Sequence, residues 1–528
     1  MRRARRELAA AGRAEEDFWA GTTSADSEVL ARTKRSQSRL ERRSPTFTIT
    51  SSFVGLITIG TILLLIPGMR AGGGRPPLNV ALFTSTSAAC VTGLNVVDTA
   101  TYWTPLGQAT ILALIQVGGF GIQALGTLWM ILLARRLGAR SRLAAQAETG
   151  AMSQGDVRRV LQALVVITLV VELAMALLLT IRFAWRYDFS IGQAAWQGLF
   201  HSVSAFNNAG FALASDSLMT YGHDLFILGP ISVAIVLGGL GFLVIVELFN
   251  RATGARPLRP RRRGAAEPMT PDEIVVRGQE LARRSRYRLG DLHPDRFGFA
   301  NPIPLSLHTR LMLTGTGLLM AVGTLGFALF EWGHRTTLAG MPLWERALQS
   351  FFSGGITPRT AGFNTVDYAE VHAHTRFLVD GLMFTGAGTG STGGGVKVTT
   401  VMVLAFAVLA EIRGQRDVNA LDRRIPDSAV RIAVAVVMVS FAAVMLGTMA
   451  LIWQTSMPLD LAMFEVISAL ATVGLSANLT PFLPVVAQLL LVLLMLLGRV
   501  GPLTLASSLT LRTTPRAYRL PEERPMIG

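Results

Sequence analysis

A twelve-residue segment at 83–94, FTSTSAACVTGL, recurs three more times, each copy holding a Phe and a Gly ten residues apart. The copies are FHSVSAFNNAGF at 200–211, FSGGITPRTAGF at 352–363 and FEVISALATVGL at 464–475. Three of the four place Ser-Ala at the same offset: Ser87-Ala88, Ser204-Ala205 and Ser468-Ala469. Every copy ends in Gly plus a large apolar residue and lies between two long apolar stretches. A fixed internal repeat constrains the fold more than any local propensity. Four loops of one geometry, each held between membrane-crossing segments, can meet on one axis and line a pore.

The composition allows this. Half of the 528 residues are hydrophobic, 16% are charged, and the mean hydropathy is +0.44. A soluble domain does not keep that much apolar surface from water. About 20 apolar residues cross a ~30 Å hydrocarbon core, and eight such stretches are present: roughly 47–66, 105–133, 160–181, 224–248, 311–330, 377–409, 430–453 and 485–509. They pair around the repeats. The expected fold is therefore an all-α membrane protein of four pseudo-repeated units, each a span, a re-entrant loop and a span, around one central pore. The units fall at 45–134, 157–250, 310–411 and 429–512. The first span follows a long basic segment with no small-residue cleavage site, so it reads as a retained span rather than a signal peptide.

The net charge of +15 invites a nucleic-acid reading, but its distribution argues against one. Of the 49 Lys and Arg, 39 fall in 1–43, 134–159, 251–310, 412–431 and 512–528, the segments that join one unit to the next and the two ends. By the positive-inside rule these are cytoplasmic, which puts all four repeat loops on the outer side of a plasma membrane. The 1–44 segment reads as disordered or only partly helical, a basic stretch suited to lie against anionic lipid headgroups. In the 251–309 insert, RPLRPRRRG is flexible and QELARRSRYRLGDL has the makings of a short helix. Neither these nor the 513–528 tail is long enough for a catalytic domain. The single cysteine, Cys90, excludes an intrachain disulfide.

Each repeat loop has two halves. The first suits a half-helix that dips into the bilayer. The second is short, and its Gly permits backbone angles that other residues resist. Such backbone is tolerated at membrane depth only when buried in protein or lining water. Extended strands with carbonyls facing an axis can replace the hydration shell of a cation, and half-helix C-termini add negative potential there. The candidate ion-binding residues are Val91, Thr92 and Gly93; Asn208, Ala209 and Gly210; Thr360, Ala361 and Gly362; and Thr472, Val473 and Gly474. Glycines at helix contacts offer a plainer explanation for one loop. Four phase-locked copies outweigh it.

The sixth span, VDGLMFTGAGTGSTGGGVKVTTVMVLAF, has six glycines in the ten residues 386–395. Glycine costs about 1 kcal/mol per residue in a helix, so the helix breaks near mid-membrane. A P-loop reading fails because Val396 precedes Lys397, Val398 follows it, and no strand comes before. A flexible loop under the filter can block the pathway and move aside. Gly386, Gly388, Gly390, Ser391, Thr392, Gly393, Gly394 and Gly395 are the candidate gate, with Lys397 beside them. Lys397 faces permeating ions or else snorkels to the interface. Arg499 interrupts LLLVLLMLLGRVGPLTLASSL, otherwise free of charge. A charge within a span faces the bundle interior or a water-filled cavity. It acts as a barrier to cations, or it pairs with an acid such as Asp380 or Glu465. Glu172 reads as a packed or paired carboxylate, and His201 as packing.

The four loops, GSTGGGVK and GRVGPLTL together resemble the Trk/Ktr/HKT superfamily of cation transporters, and within it the eight-span membrane subunits of bacterial Ktr potassium systems. The resemblance spans roughly 45–512. It implies a pseudo-fourfold pore, potassium bound by the filter carbonyls, a gate at the broken sixth span with Arg499 under the filter, and no organic cofactor in this chain. It also implies a homodimer and a separate cytosolic nucleotide-binding regulatory ring. Plant relatives with Ser at the first filter position favour sodium; Gly93 stands there here. The third loop departs from its siblings by lacking Ser-Ala and by carrying Arg359. A sodium or sodium-coupled potassium transporter is the alternative. An intramembrane enzyme would need a nucleophile–base or metal set at depth, and the seven histidines include no HExxH.

Overall fold

The computed structural model describes residues 45–136, 154–252 and 305–511. The basic segments at 1–44 and 513–528, almost all of the 251–309 insert and its expected short helix lie outside these residues. Two compact units are distinguished among the described residues, 45–55 with 503–511, and Leu56–Pro502. All four copies of the repeat lie within the second.

The same order of elements returns around each copy. The first repeat unit has α1 (Pro45–Leu64), α2 (Leu78–Ala89), the short α3 (Thr99–Tyr102) and α4 (Pro105–Arg136). The second has α5 (Gln154–Arg186), α6 (Ile191–Phe206), then α7 (Leu225–Leu240) and α8 (Phe242–Ala252). The third has α9 (Leu307–Glu331), α10 (Leu343–Gln349) continued as a π-helix over Ser350–Ile356, then α11 (Ala373–Phe384) and α12 (Val398–Ile412). The fourth has α13 (Asp427–Thr455), α14 (Leu459–Leu470) and α15 (Val485–Leu511). The exception to an all-α architecture among the described residues is a two-stranded hairpin, β1 (Asn419–Ala420) with β2 (Arg423–Arg424), in the link between the last two repeat units.

Caps mark where these helices begin. Ser190 accepts from the Gln193 N–H while Gln193 reaches back, a capping box that starts α6. Asp224 starts α7 by accepting from Phe226, and Ser306 starts α9 by accepting from Thr309.

Among the described residues, three helical segments are long and apolar enough to cross a membrane: Gln162–Arg186, Leu307–Glu331 and Asp427–Thr455. The bent pair α7 and α8 supplies a fourth if taken as one span, and Thr50–Leu64, Val398–Ile412 and Val485–Gly501 are shorter apolar helices. Only 17% of the most apolar stretch of α13 is buried. Its outward face carries Met438, Phe441, Leu446 and Met449, all exposed, and α5 presents Val166, Val170, Leu173 and Leu177 in the same way. Water does not tolerate apolar faces of that size, whereas lipid does. Trp185, Trp332 and Trp453 are exposed at the ends of α5, α9 and α13 that lead into the repeat loops. Tryptophan concentrates at membrane–water interfaces, and these three stand at equivalent ends of their helices.

The short helices sit inside this shell. All twelve residues of every repeat copy are buried. Phe83, Phe200, Phe352 and Phe464 anchor one end of each, and Leu94, Phe211, Phe363 and Leu475 the other.

Candidate functional site

The shared phase of the repeat has a backbone meaning. Eight residues after the leading Phe, each loop turns into the left-handed region: Val91 at φ 56°, Asn208 at 59°, Thr360 at 64° and Thr472 at 50°. Two residues later the glycines do so as well, with Gly93 at 93°, Gly210 at 69°, Gly362 at 69° and Gly474 at 95°. The glycines relieve the second turn of steric cost. The first is imposed on side chains that resist it, β-branched in three loops of four, and such strain persists only where the surroundings enforce it.

The four glycines close a ring. A Cβ on Gly93 would overlap the Ala209 carbonyl oxygen, and one on Gly210 would lie 2.7 Å from that of Ala361. One on Gly362 would overlap the Val473 carbonyl oxygen, and one on Gly474 that of Thr92. Each loop thus meets the next in chain order and the fourth returns to the first. Four equivalent glycines alternate with four equivalent carbonyls in a single layer. A side chain at any of the four is excluded by a neighbour's backbone.

Local hydrogen bonds hold each loop. In the first and fourth, the hydroxyls of Ser87 and Ser468 accept from the N–H of Gly93 and Gly474, each at 3.0 Å. In the second, Ser204 donates instead to the Phe211 carbonyl at 2.8 Å. The third loop has Ile356 at that offset, and the α-helix widens into a π-helix just there. Tyr368 braces it from outside, donating to the Ser353 carbonyl at 2.7 Å. The Asn208 amide donates to the Arg359 carbonyl at 3.2 Å, linking the second and third loops.

Glycines on the second helices permit the loops to seat. Gly118 on α4, Gly238 on α7 and Gly498 on α15 each face the carbonyl of the last residue of a short helix, at Ala89, Phe206 and Leu470. A Cβ at any of the three would overlap that oxygen.

The glycine break lies against the loops. After α11 ends at Phe384 the chain runs non-helically to Lys397. A Cβ on Gly393 would overlap the Thr360 hydroxyl, and one on Gly394 the Thr472 hydroxyl. Gly388 N–H donates to the Gly239 carbonyl at 2.9 Å and Thr392 N–H to that of Gly238 at 3.2 Å. The Thr392 hydroxyl donates to Asn208 Oδ1 at 3.2 Å, and that of Ser391 to the Gly388 carbonyl at 2.6 Å. Gly390 and Gly395 take positive φ, and Gly386 packs against the Gly394 carbonyl. Lys397 folds back so that Nζ donates to the Gly393 carbonyl at 2.7 Å.

Arg499 is buried and reaches two carbonyls, that of Thr392 in the break and that of Gly118 on α4, the latter at 3.2 Å. Neither acid offered by the sequence meets it. Glu465 accepts from Ser476, Thr480 and the Ala477 N–H, which fixes the far end of the fourth loop. Asp380 is buried with no hydrogen-bond partner among the described residues. Glu172 accepts from Gln116 and Asn207, joining the first two repeat units. His201 packs among Phe183, Phe200 and Phe363. Arg359 is buried, its Nη1 without a partner among the described residues.

Sequence reasoning missed one break. The helix of the fourth expected stretch ends at Leu240 and restarts at Phe242 with a bend of 106°. Gly241, at φ 89°, makes the turn and lies against the Thr389 carbonyl of the glycine loop. The glycines in VLGGLGFLV were the available signal.

The model of the family described as cation transport protein, TrkH, matches residues 15–262 and 304–514. The chain belongs to the TrkH family of cation transport proteins. Among its relatives, the Ktr system potassium uptake protein B of Bacillus subtilis (strain 168) is 33% identical over 92% of this chain and 97% of its own length. That of Vibrio alginolyticus is 33% identical over 90% and 93%. The potassium/sodium uptake protein NtpJ of Enterococcus hirae is 29% identical over 92% and 98%. The crystal structure of the potassium transporter TrkH from Vibrio parahaemolyticus matches 88% of this chain and 84% of that one, with a TM-score of 0.62 at 18% identity. That likeness speaks for the fold. TrkH-family membership makes this chain a membrane protein that transports ions rather than an enzyme.

Proposed function

We propose that this chain takes up potassium through a gated, selective pore built from four span–loop–span units, eight spans in all. The closed ring of Gly93, Gly210, Gly362 and Gly474 with the carbonyls of Thr92, Ala209, Ala361 and Val473 carries the reading. Carbonyl oxygens layered around an axis substitute for the water shell of a cation. Val91, Asn208, Thr360 and Thr472 add a second level of backbone oxygens. The Thr92 and Thr472 hydroxyls, buried without a partner among the described residues, are further oxygens on offer.

The glycine segment 386–395, tied beneath the ring, is the gate in this reading. Arg499 latches it through the Thr392 carbonyl and places a positive charge beside the ion path, and Lys397 steadies the same segment. Two relatives named for the Ktr potassium system support potassium as the ion and, through the word system, a partner subunit; a cytosolic nucleotide-binding regulator and a homodimeric assembly are the finer form that the motif resemblance implies. The basic linking segments, on the positive-inside rule, favour the cytoplasmic side of the plasma membrane for both termini and the regulator.

NtpJ is named for both potassium and sodium, so sodium transport or sodium-coupled potassium transport is a second reading. Flux into vesicles holding the purified chain, measured with potassium, rubidium and sodium, separates the two. Potassium and rubidium should enter well ahead of sodium. Equal sodium entry, or potassium entry only with sodium present, would favour the second reading.

A further inference from the structure

At the C-terminal end of α9, Glu331 is fully buried. Its Oε2 accepts from the Thr337 hydroxyl at 2.9 Å and lies 3.0 Å from His334 Nδ1. Its Oε1 accepts from the Thr375 hydroxyl and, at 3.0 Å, from the His372 N–H, and lies 3.2 Å from His372 Nδ1. The two imidazole centroids are 4.0 Å apart, and their side chains are 25% and 40% exposed. One ligand atom from each of the three residues lies within 4.8 Å of the others.

Two imidazole nitrogens and one carboxylate form a donor set that first-row divalent metals favour, with a position left for water. Bonds of about 2.0–2.1 Å set the edge of a metal tetrahedron near ~3.3 Å. The two N···O separations, 3.0 Å to Oε2 and 3.2 Å to Oε1, are close to that edge, each ring facing its own carboxylate oxygen. The Thr337 and Thr375 hydroxyls hold the carboxylate from behind, as partners of a metal-bound carboxylate do. Partial exposure of both rings leaves an entry route. A simple hydrogen-bonded latch accounts for either His–Glu pair alone. With both rings on one carboxylate, a latch in which each Nδ1 meets its own oxygen is the alternative to a metal, and saturable metal binding tells the two apart.

We propose that Glu331, His334 and His372 bind one first-row divalent transition-metal ion of the zinc type. The ligands join the end of α9 to the start of α11. The twelve residues of α11 extend about 18 Å from there to the glycine break. A bound ion would therefore clamp together the two helices that flank the third loop.

The test uses the full chain, freed of any histidine tag and stripped of metal, titrated with Zn2+ by calorimetry and with Co2+ by visible absorption. His334→Gln and His372→Gln remove one ligand each. His374→Gln is the control, because that ring stacks on His372 at 4.9 Å but lies outside the set. We expect one ion per parent chain and a rise in melting temperature on binding. Each ligand variant should weaken binding by more than the about 10–100-fold that loss of a mere outer-shell partner costs and lose the thermal rise, and the control should keep both. The site is refuted by a parent chain that shows no saturable binding, and equally by ligand variants that bind as tightly as the parent. The parent chain alone can return that refuting result, so a variant that fails to fold cannot shelter the proposal.

Discussion

The first and fourth loops are near copies, and the third is not. In the first and fourth, an α-helix runs to the loop, a serine hydroxyl braces the ring glycine from within, and the following helix passes the loop unbroken. In the third, the helix widens to a π-helix, the brace is Tyr368 from outside, and the following helix dissolves into the glycine segment. All four nevertheless deliver a positive-φ glycine to the same ring. The ring constrains every unit alike, and what surrounds it is free to differ. On the proposed function the third unit carries the gate, and its local departures are where that reading differs from a purely structural one.

Shortening the chain within 388–394 should have the largest effect. It removes the bonds to Gly238 and Gly239 and, on the proposed function, the gate. Flux should rise by roughly a hundredfold, the equivalent of lifting ~3 kcal/mol of barrier, and should depend less on any regulator. A protein that folds and conducts no faster would make the third unit as static as its siblings.

Arg499→Ala comes next. A unit charge about 6 Å from a passing cation, at an effective dielectric near 20, repels it by roughly 3 kcal/mol. Allowing for screening, flux should rise about tenfold with the potassium preference kept. The lost bonds to Thr392 and Gly118 should also cost stability, by about 1–3 kcal/mol. Lower flux together with a lower melting temperature would leave Arg499 as a strut alone.

Gly93→Ser places a side chain against the Ala209 carbonyl at a φ of 93°. The ratio of potassium to sodium flux should fall by about tenfold, and Gly474→Ser should do the same if the first and fourth loops are equivalent. An unchanged ratio would separate the ring from selectivity.

The smallest effects probe the braces. Ser468→Ala strands a buried Gly474 N–H and should cost about 1–3 kcal/mol. Tyr368→Phe should cost about 1 kcal/mol through the Ser353 carbonyl. Denaturation of the purified variants reads both, and a costless Ser468→Ala would break the distinction between internal and external bracing.

Much of this was legible because it repeats. The Phe-to-Gly spacing, the glycine run at 386–395 and the lone Arg499 are visible in the chain before any coordinates. The left-handed turns at Val91, Thr360 and Thr472 were not, because β-branched residues give no local signal for a conformation that neighbouring loops impose. The serine brace was half visible. Ser-Ala recurred, but its hydrogen bond to a glycine six residues on depends on how the loop folds back. The bend at Gly241 hid in an apolar run whose hydropathy reads as one span. Glu331, His334 and His372 escaped notice because 41 residues separate the carboxylate from its second imidazole, and no short motif links them.

The most direct test of one ion-binding ring is anomalous scattering from crystals grown in thallium, a heavy stand-in for potassium. Density should appear on the axis bounded by the carbonyls of Thr92, Ala209, Ala361 and Val473, with all four loops contributing oxygens. Crystals of a conducting protein with no density at that layer, or with thallium held by one loop alone, would contradict the four-loop pore.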